Sequence, residues 1–242
     1  MTVAALYDVH GNLPALEAVL AELDADVILS GGDLVAGPLP SACLELLRER
    51  EALFIRGNGD RAVVAGGGDD DAWAEQVRWA TGQLTDEQLA FVGAWPHPVS
   101  LDVEGLGPVL FCHGSPRSDE EILTAITPPK RLDPILDGVR EQVVVCGHTH
   151  VQFDRRVGDR RIVNAGSVGM PYQGEPGIAC WAVLGPDVEL RQTRYDAAAA
   201  AEAIRASGYP GADEFVSEYV LASHPAEEAT AQFERMAEER PR

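Results

Sequence analysis

The chain has 242 residues, 45% of them hydrophobic and 24% charged, a balance that excludes a disordered or membrane-embedded protein and fits one globular domain. Nineteen basic residues against thirty-nine acidic ones give a formal charge of −20, which excludes long duplex nucleic acid as a partner. Four widely spaced cysteines imply buried free thiols rather than a disulfide framework. No apolar run approaches the roughly 18 residues that span a bilayer, and the first residues lack the basic start of a secretory signal, so the expectation is a cytoplasmic protein without a membrane partner.

Short apolar runs at 3–8, 27–30, 52–55, 109–112 and 143–146 read as strands. Several are separated by helical patterns, at 13–23 and 41–49, as expected for a sheet covered by helices. In the first helix Leu13, Leu16, Val19, Leu20 and Leu23 recur at helical spacing, with Pro14 tolerated in the first turn. The run Gly66 to Asp71 reads as a loop or lid hinge, and a helix begins near Ala72. That helix offers Trp73 or Trp79 for stacking, although packing into the core is the plainer role for both.

After Val151 the pattern changes to close-spaced strands at 153–157, 160–163, 178–184 and 188–193, which predicts an antiparallel second half. From Asp196 the chain reads as helices, broken at Gly208-Tyr209-Pro210 and His224-Pro225. We therefore expect a single domain over 1–242, with 196–242 a helical extension packed on it; these helices leave a homo-oligomer open.

Four of the six histidines lie in short stretches that mostly follow an apolar run, where ligands gather at the mouth of an open α/β sheet. Asp8 and His10 stand two residues apart at the end of the first strand, so strand alternation puts both on one side. Asp33 ends the next strand region, and its two oxygens suit a carboxylate bridging metals about 3.5–4 Å apart. Asn58 offers an amide oxygen, and His113, His148 and His150 offer imidazoles favoured by zinc, iron, manganese or nickel over calcium. Two carboxylates against two divalent ions leave local positive charge, enough to hold a phosphate group and to lower the pKa of a bridging water.

This set of motifs, Asp8-Val9-His10, Gly32-Asp33, Gly57-Asn58, Cys112-His113-Gly114, Gly147-His148-Thr149-His150 and Asn164-Ala165-Gly166-Ser167, resembles the calcineurin-like metallophosphoesterase superfamily, and its small bacterial and archaeal phosphodiesterase-like branch in particular. The resemblance covers about the first 170 residues. It implies a four-layer αββα sandwich with two mixed sheets flanked by helices. It also implies a dinuclear site: Asp8, His10 and His150 would hold one metal, Asn58, His113 and His148 the other, and Asp33 would bridge. Asp33, Asn58 and His113 would be central to catalysis, with manganese favoured among the metals and in-line attack on phosphorus by a metal-bridging hydroxide.

One position departs from the family pattern, because many members carry a histidine after the motif asparagine and this chain has Gly59. Without that proton donor the expected substrates are small phosphodiesters whose leaving oxygen needs little protonation. A phosphomonoesterase acting on nucleotides or phosphoproteins, and a non-catalytic metal-binding scaffold, are the alternatives. Asn12, Asp60 and Thr149 lie beside ligands and are expected to orient them. Arg61 and Arg117 are the motif-flanking cations suited to clamping a phosphate, with Asn12 the third candidate for substrate binding. His97 and His224 have no sequence partner and read as structural or exposed.

Overall fold

A computed structural model describes residues 1–67 and 72–239. Part of the glycine-aspartate run expected to act as a hinge, residues 68–71, therefore lies outside the described residues. The elements begin with β1 (Val3–Leu6), α1 (Leu13–Glu22), β2 (Val27–Ser30), α2 (Pro40–Glu49), β3 (Leu53–Phe54) and α3 (Asn58–Ala65). α4 (Ala72–Gly82), α5 (Asp86–Gly93), β4 (Val99–Val103), β5 (Gly107–Phe111), α6 (Pro129–Ile135) and β6 (Val143–Cys146) follow. Two hairpins, β7 (Phe153–Val157) with β8 (Arg160–Asn164) and β9 (Ile178–Leu184) with β10 (Val188–Arg194), precede α7 (Ala197–Ala206), α8 (Ala212–Phe215), a π-helical turn (Val216–Val220) and α9 (Ala226–Glu239).

Among the described residues the strands form two mixed five-stranded sheets, ordered β10-β9-β1-β2-β3 and β4-β5-β6-β8-β7. The late antiparallel half expected from the sequence divides between them. β8 runs parallel to β6 in the second sheet, and β9 runs antiparallel to β1 in the first. The sheets face one another across Val3, Ala5, Tyr7, Leu29, Val109, Phe111, Val143, Val145 and Val163, alternate positions of their strands. The opposite faces pack on helices: Ala4 and Leu6 join Leu16, Leu20 and Leu44, while Leu110, Val144 and Ile162 join Leu132 and Ile135. The result is the αββα sandwich that the sequence implied.

All four cysteines are buried free thiols. Cys112 lies in the helix-covered face of the second sheet, turned from the side of its neighbour Phe111. Among the described residues no helix is long and apolar enough to cross a membrane.

α5, β4 and α6 have no counterpart in the sequence reading. α5 is capped at both ends of its first turn, since Gln88 N–H donates to Thr85 Oγ1 and Thr85 N–H to Gln88 Oε1. α6 contains Pro134, which hides a short helix from a periodicity search. In the C-terminal segment Ile204, Tyr209, Phe215, Val216 and Val220 form their own apolar cluster, with Trp79 and Met170 packed against it.

Candidate metal centre

The site forms where the loops after β1, β2, β3, β5 and β6 converge at one end of the two sheets. β1 stops at Leu6, so strand alternation is not what brings Asp8 and His10 together, contrary to the sequence argument. Both adopt left-handed backbone, with φ of 52° and 45°, as do Asp33, His148 and His150. Among the described residues only one other non-glycine residue, Glu51, has positive φ. Such conformations cost on the order of 1–3 kcal/mol each and cluster where chemistry requires a side chain to be aimed.

Two ligand groups result. Asp8, His10 and His150 bring one donor atom each within 4.8 Å of one another, and so do Asp33, His113 and His148. Asp33 faces both: its Oδ2 lies 3.4 Å from His113 Nε2 and 3.8 Å from His10 Nε2. Asp8 Oδ1 lies 3.2 Å from His150 Nε2 and 3.7 Å from His113 Nε2. The seventh expected ligand, Asn58, sets its amide 3.0 Å from His148 Nδ1 and 3.3 Å from His113 Nε2.

Two observations test whether these residues fit metal ions. Asp8 Oδ1 is buried with no hydrogen-bond partner, although an orphaned carboxylate oxygen is costly. His10, His113 and His150 each turn Nδ1 to a backbone carbonyl, of Ala36 at 3.0 Å, Gly31 at 3.0 Å and Met170 at 2.9 Å. This leaves the Nε2 atoms of all three directed inward, the arrangement that metal-ligating histidines use. The donor set of imidazole, carboxylate and amide oxygen suits divalent transition metals.

The electrostatics of the ion-free cluster agree. Burial disfavours the charged form of Asp33, yet the adjacent His113 holds its carboxyl far below the usual range. Asp8 is likewise lowered, by His150 and His113, against the effect of burial. Burial opposes protonation of His113, but Asp33 and Asp8 lift it to about 10. His148, desolvated and beside His113, falls to about 4.

Behind the ligands stands a layer that fixes them. Asp60, fully buried, accepts hydrogen bonds from the N–H groups of Asp33, Leu34, Val35 and Gly57 at 2.8, 2.9, 3.0 and 3.0 Å. Burial and the Asp33 charge push this carboxyl up to about 7, against the pull of the Val35 and Gly57 amides. Thr149 donates to the Leu123 carbonyl and accepts from Asn164, whose Nδ2 also donates to Gly147 O at 2.7 Å. Ser167 Oγ donates to Asp8 O at 2.7 Å, so the Asn164–Gly169 stretch braces the β1 loop.

Glycine is obligatory at several of these close approaches. A Cβ on Gly147 would lie 2.4 Å from Asp8 Oδ2 and 2.5 Å from the Tyr7 ring. Gly59, where the resemblance led us to expect a histidine, also has little room, since its Cβ would lie 2.8 Å from Ala36 Cβ and 3.0 Å from Asp33 Oδ1.

The expected substrate-binding trio sits elsewhere. Asn12 is fully buried: its Oδ1 caps α1 through Ala15 N–H and its Nδ2 donates to Gly169 O, so it positions the loop. Arg61 is engaged by Asp119, at 2.9 Å, and by Glu120, and Arg117 by Glu121, at 2.9 Å. Carboxylates neighbouring in space already neutralise both guanidiniums, and neither lines the cleft over the ligands.

Sequence reasoning missed several residues around the site. His97 Nε2 accepts the His113 N–H at 3.0 Å, and burial together with His113 depresses its pKa to about 4. Tyr172 stacks on His150, centroids 5.4 Å apart. The cleft, about 290 Å³, is lined by Trp73 and Gln76 of α4 and Tyr209, Phe215 and Tyr219 of the C-terminal segment as well as by candidate ligands. Trp73, for which core packing was the plainer expectation, is 49% exposed. No motif marks these positions, because their role depends on which distant helices meet over the site.

Comparison with known proteins agrees with this geometry. The calcineurin-like phosphoesterase superfamily domain matches residues 1–185. A crystal structure of a metallophosphoesterase from Sphaerobacter thermophilus is similar at 30% identity and TM-score 0.73, covering 89% of this chain and 97% of that one. The structure of a hypothetical protein from Pyrococcus horikoshii OT3 shares the fold at TM-score 0.78 and 20% identity, over 92% and 99% of the two chains. An uncharacterized protein of Methanocaldococcus jannaschii is 27% identical over 194 residues, 71% of this chain and 78% of the relative. The chain belongs to the calcineurin-like phosphoesterase superfamily.

Proposed function

We propose that this chain is a phosphoesterase that uses two divalent transition-metal ions to hydrolyse small phosphodiesters. The observation that carries the reading is the position of Asp33: one carboxylate oxygen reaches both the His10 side and the His113 side of the paired ligand groups. Asp8, His10 and His150 would hold one ion, Asn58, His113 and His148 the other, and Asp33 would be shared. When bound, such ions neutralise charge on the phosphoryl group and acidify a water that serves as nucleophile. The chain's own contribution is orientation. The Ala36, Gly31 and Met170 carbonyls fix the imidazole tautomers, and Asp60 fixes the loops that carry Asp33 and Asn58.

Two features favour diesters over monoesters. Gly59 supplies no side chain to protonate a leaving oxygen, and a side chain there meets Ala36 and Asp33. Among the described residues lining the cleft there is no Arg or Lys to offset the second charge of a monoester dianion, whereas Glu214 contributes a negative one. The test is hydrolysis of bis-aryl and mono-aryl phosphates by metal-stripped protein refilled singly with manganese, nickel, zinc or iron, beside Asp33→Ala. Diester turnover that requires both metal and Asp33 is the expected result. Stoichiometric metal uptake with no turnover by any metal would replace the reading with a metal-binding scaffold, and faster monoester turnover would reverse the preference.

A further inference from the structure

The cleft has a second wall that the metal chemistry does not use. Besides the candidate ligands, the cleft is lined by Trp73 and Gln76 of α4 and by Tyr209, Phe215 and Tyr219 of the C-terminal segment. That segment lies beyond residues 1–185, the part matched by the superfamily domain, whereas α4 lies within it.

The wall is built from rings in contact. Trp79 meets Tyr209 edge-on at 5.3 Å, Tyr209 meets Phe215 at 6.1 Å, and Phe215 meets Tyr219 at 5.6 Å. Tyr219 meets Tyr172 at 6.2 Å, and Tyr172 stacks on the ligand His150. The series therefore runs from α4 to the metal ligands without a break. α4 is keyed to the segment through Gly211, where a Cβ would lie 2.5 Å from Gln76 Nε2.

Trp73 stands apart from the protein's other large rings, because it is 49% exposed while Trp95 and Trp181 are 5% and 1% exposed. An indole left open on a cleft lined by both aromatic rings and candidate ligands invites a planar group. Gln76 adds an amide and Glu214 an acceptor along the same cleft, suited to the polar edge of a ring. A further phosphate is disfavoured, since the described lining has no Arg or Lys.

We propose that this wall is a subsite for a neutral planar aromatic substituent of the phosphodiester, either an aryl group or a nucleobase, with Trp73 as its stacking face. The proposal rests on the phosphodiester reading above. The ester then lies across the cleft, its phosphoryl group over Asp33 and its ring against Trp73. Specificity comes from the C-terminal segment and α4 rather than from the ligand loops.

The test is calorimetric binding to manganese-loaded protein, at about pH 6 where phosphonates are largely monoanions like a phosphodiester, of three non-hydrolysable probes: methylphosphonate, phenylphosphonate and the phosphonate isostere of adenosine 5′-phosphate. Stacking of one ring predicts phenylphosphonate tighter than methylphosphonate by about tenfold or more. Trp73→Ala, an exposed change that leaves the core intact, removes that preference without altering methylphosphonate affinity, and Trp73→Phe restores most of it. A nucleoside phosphonate tighter than phenylphosphonate supports a nucleobase as occupant, and one no tighter than phenylphosphonate supports an aryl ester. Equal binding of methyl- and phenylphosphonate by the wild type overturns the subsite and leaves the phosphodiesterase reading in place, as does a ring preference that survives Trp73→Ala. Failure of every phosphonate to bind overturns both.

Discussion

Asp60 binds no ligand, yet its removal is predicted to be among the most damaging single changes outside the ligand set. Its two oxygens accept four buried N–H groups, from Asp33, Leu34, Val35 and Gly57, and thereby tie the β2 loop to the turn that presents Asn58. Asp60→Ala leaves those donors unpaired. Each buried unpaired donor costs about 1–3 kcal/mol, so four give about 4–12. Relief of charge burial beside Asp33 and entry of water both reduce this, which makes about 4 kcal/mol the working value. For a chain of this length about 1 kcal/mol moves the melting temperature by about 2–4 °C, so the expected fall is about 8–16 °C. Asn does not rescue, because its single oxygen accepts at most two of the amides and its NH2 faces the others. The competing effect has a clear signature. The folded-state pKa of Asp60 is raised to about 7, so its protonation-linked stability is greatest below about pH 4 and is lost as pH rises through 7. Melting at pH 8 is thus the severe condition. Asp60→Asn melting above wild type there would show that repulsion from Asp33 outweighs the four hydrogen bonds, and would refute the reasoning. Metal affinity, measured on the same variants, is expected to fall by about 10–100-fold.

Introducing the expected histidine should fail: in Gly59→His the new Cβ meets Ala36 Cβ at 2.8 Å, so diester kcat/KM falls at least about tenfold, and a gain in monoester turnover would contradict the packing argument. Metal uptake should release protons, because Asp33 and Asp8 hold the His113 imidazolium to about 10 in the ion-free site. In the metal-free protein that group contributes stability below about pH 6.5, lost as pH rises through 10. Calorimetry at pH 7.5 in buffers of different ionisation enthalpy should therefore show about one proton released at His113, and identical heats would argue against it. The formal charge of −20 predicts that kcat/KM for an anionic diester rises as salt is raised from 20 to 200 mM, on the order of the screening expected at those Debye lengths; a steep fall would reveal a local positive funnel.

The sandwich was legible because its central strands are apolar runs with helical patterns between them. The seven candidate ligands stood out because each sits in a short, residue-specific motif, and the fold gathers six of them into two groups of carboxylate and imidazole donors. What stayed hidden depended on contacts between distant segments. Arg61 and Arg117 looked like phosphate clamps from their places beside motifs, but Asp119 and Glu120, remote from Arg61 in sequence, neutralise it, and Glu121 neutralises Arg117 from four residues away. His97 lies sixteen residues before His113, yet it accepts the N–H of that residue. α6 was masked by Pro134, whereas the alternation of Val99, Leu101 and Val103 with Ser100 and Asp102 is itself a strand signal, passed over by a search for continuous apolar runs.

The left-handed backbone at Asp8, His10, Asp33, His148 and His150 explains why so much of the surrounding structure is spent on holding the site. At about 1–3 kcal/mol apiece, five such residues store about 5–15 kcal/mol, as much as the whole stability of an ordinary domain. Strain of that size persists only where neighbours over-determine the conformation. Here they are the four amides on Asp60, the Ala36, Gly31 and Met170 carbonyls on the imidazoles, and Ser167 and Asn164 on the loops after β1 and β6. Strand geometry alone would have pointed Asp8 and His10 the same way at little cost, but along one edge. The left-handed turns instead fold the loops inward, so that donors from five separate loops meet around Asp33. An extended, unstrained mouth of the same sequence would present seven donors and no centre.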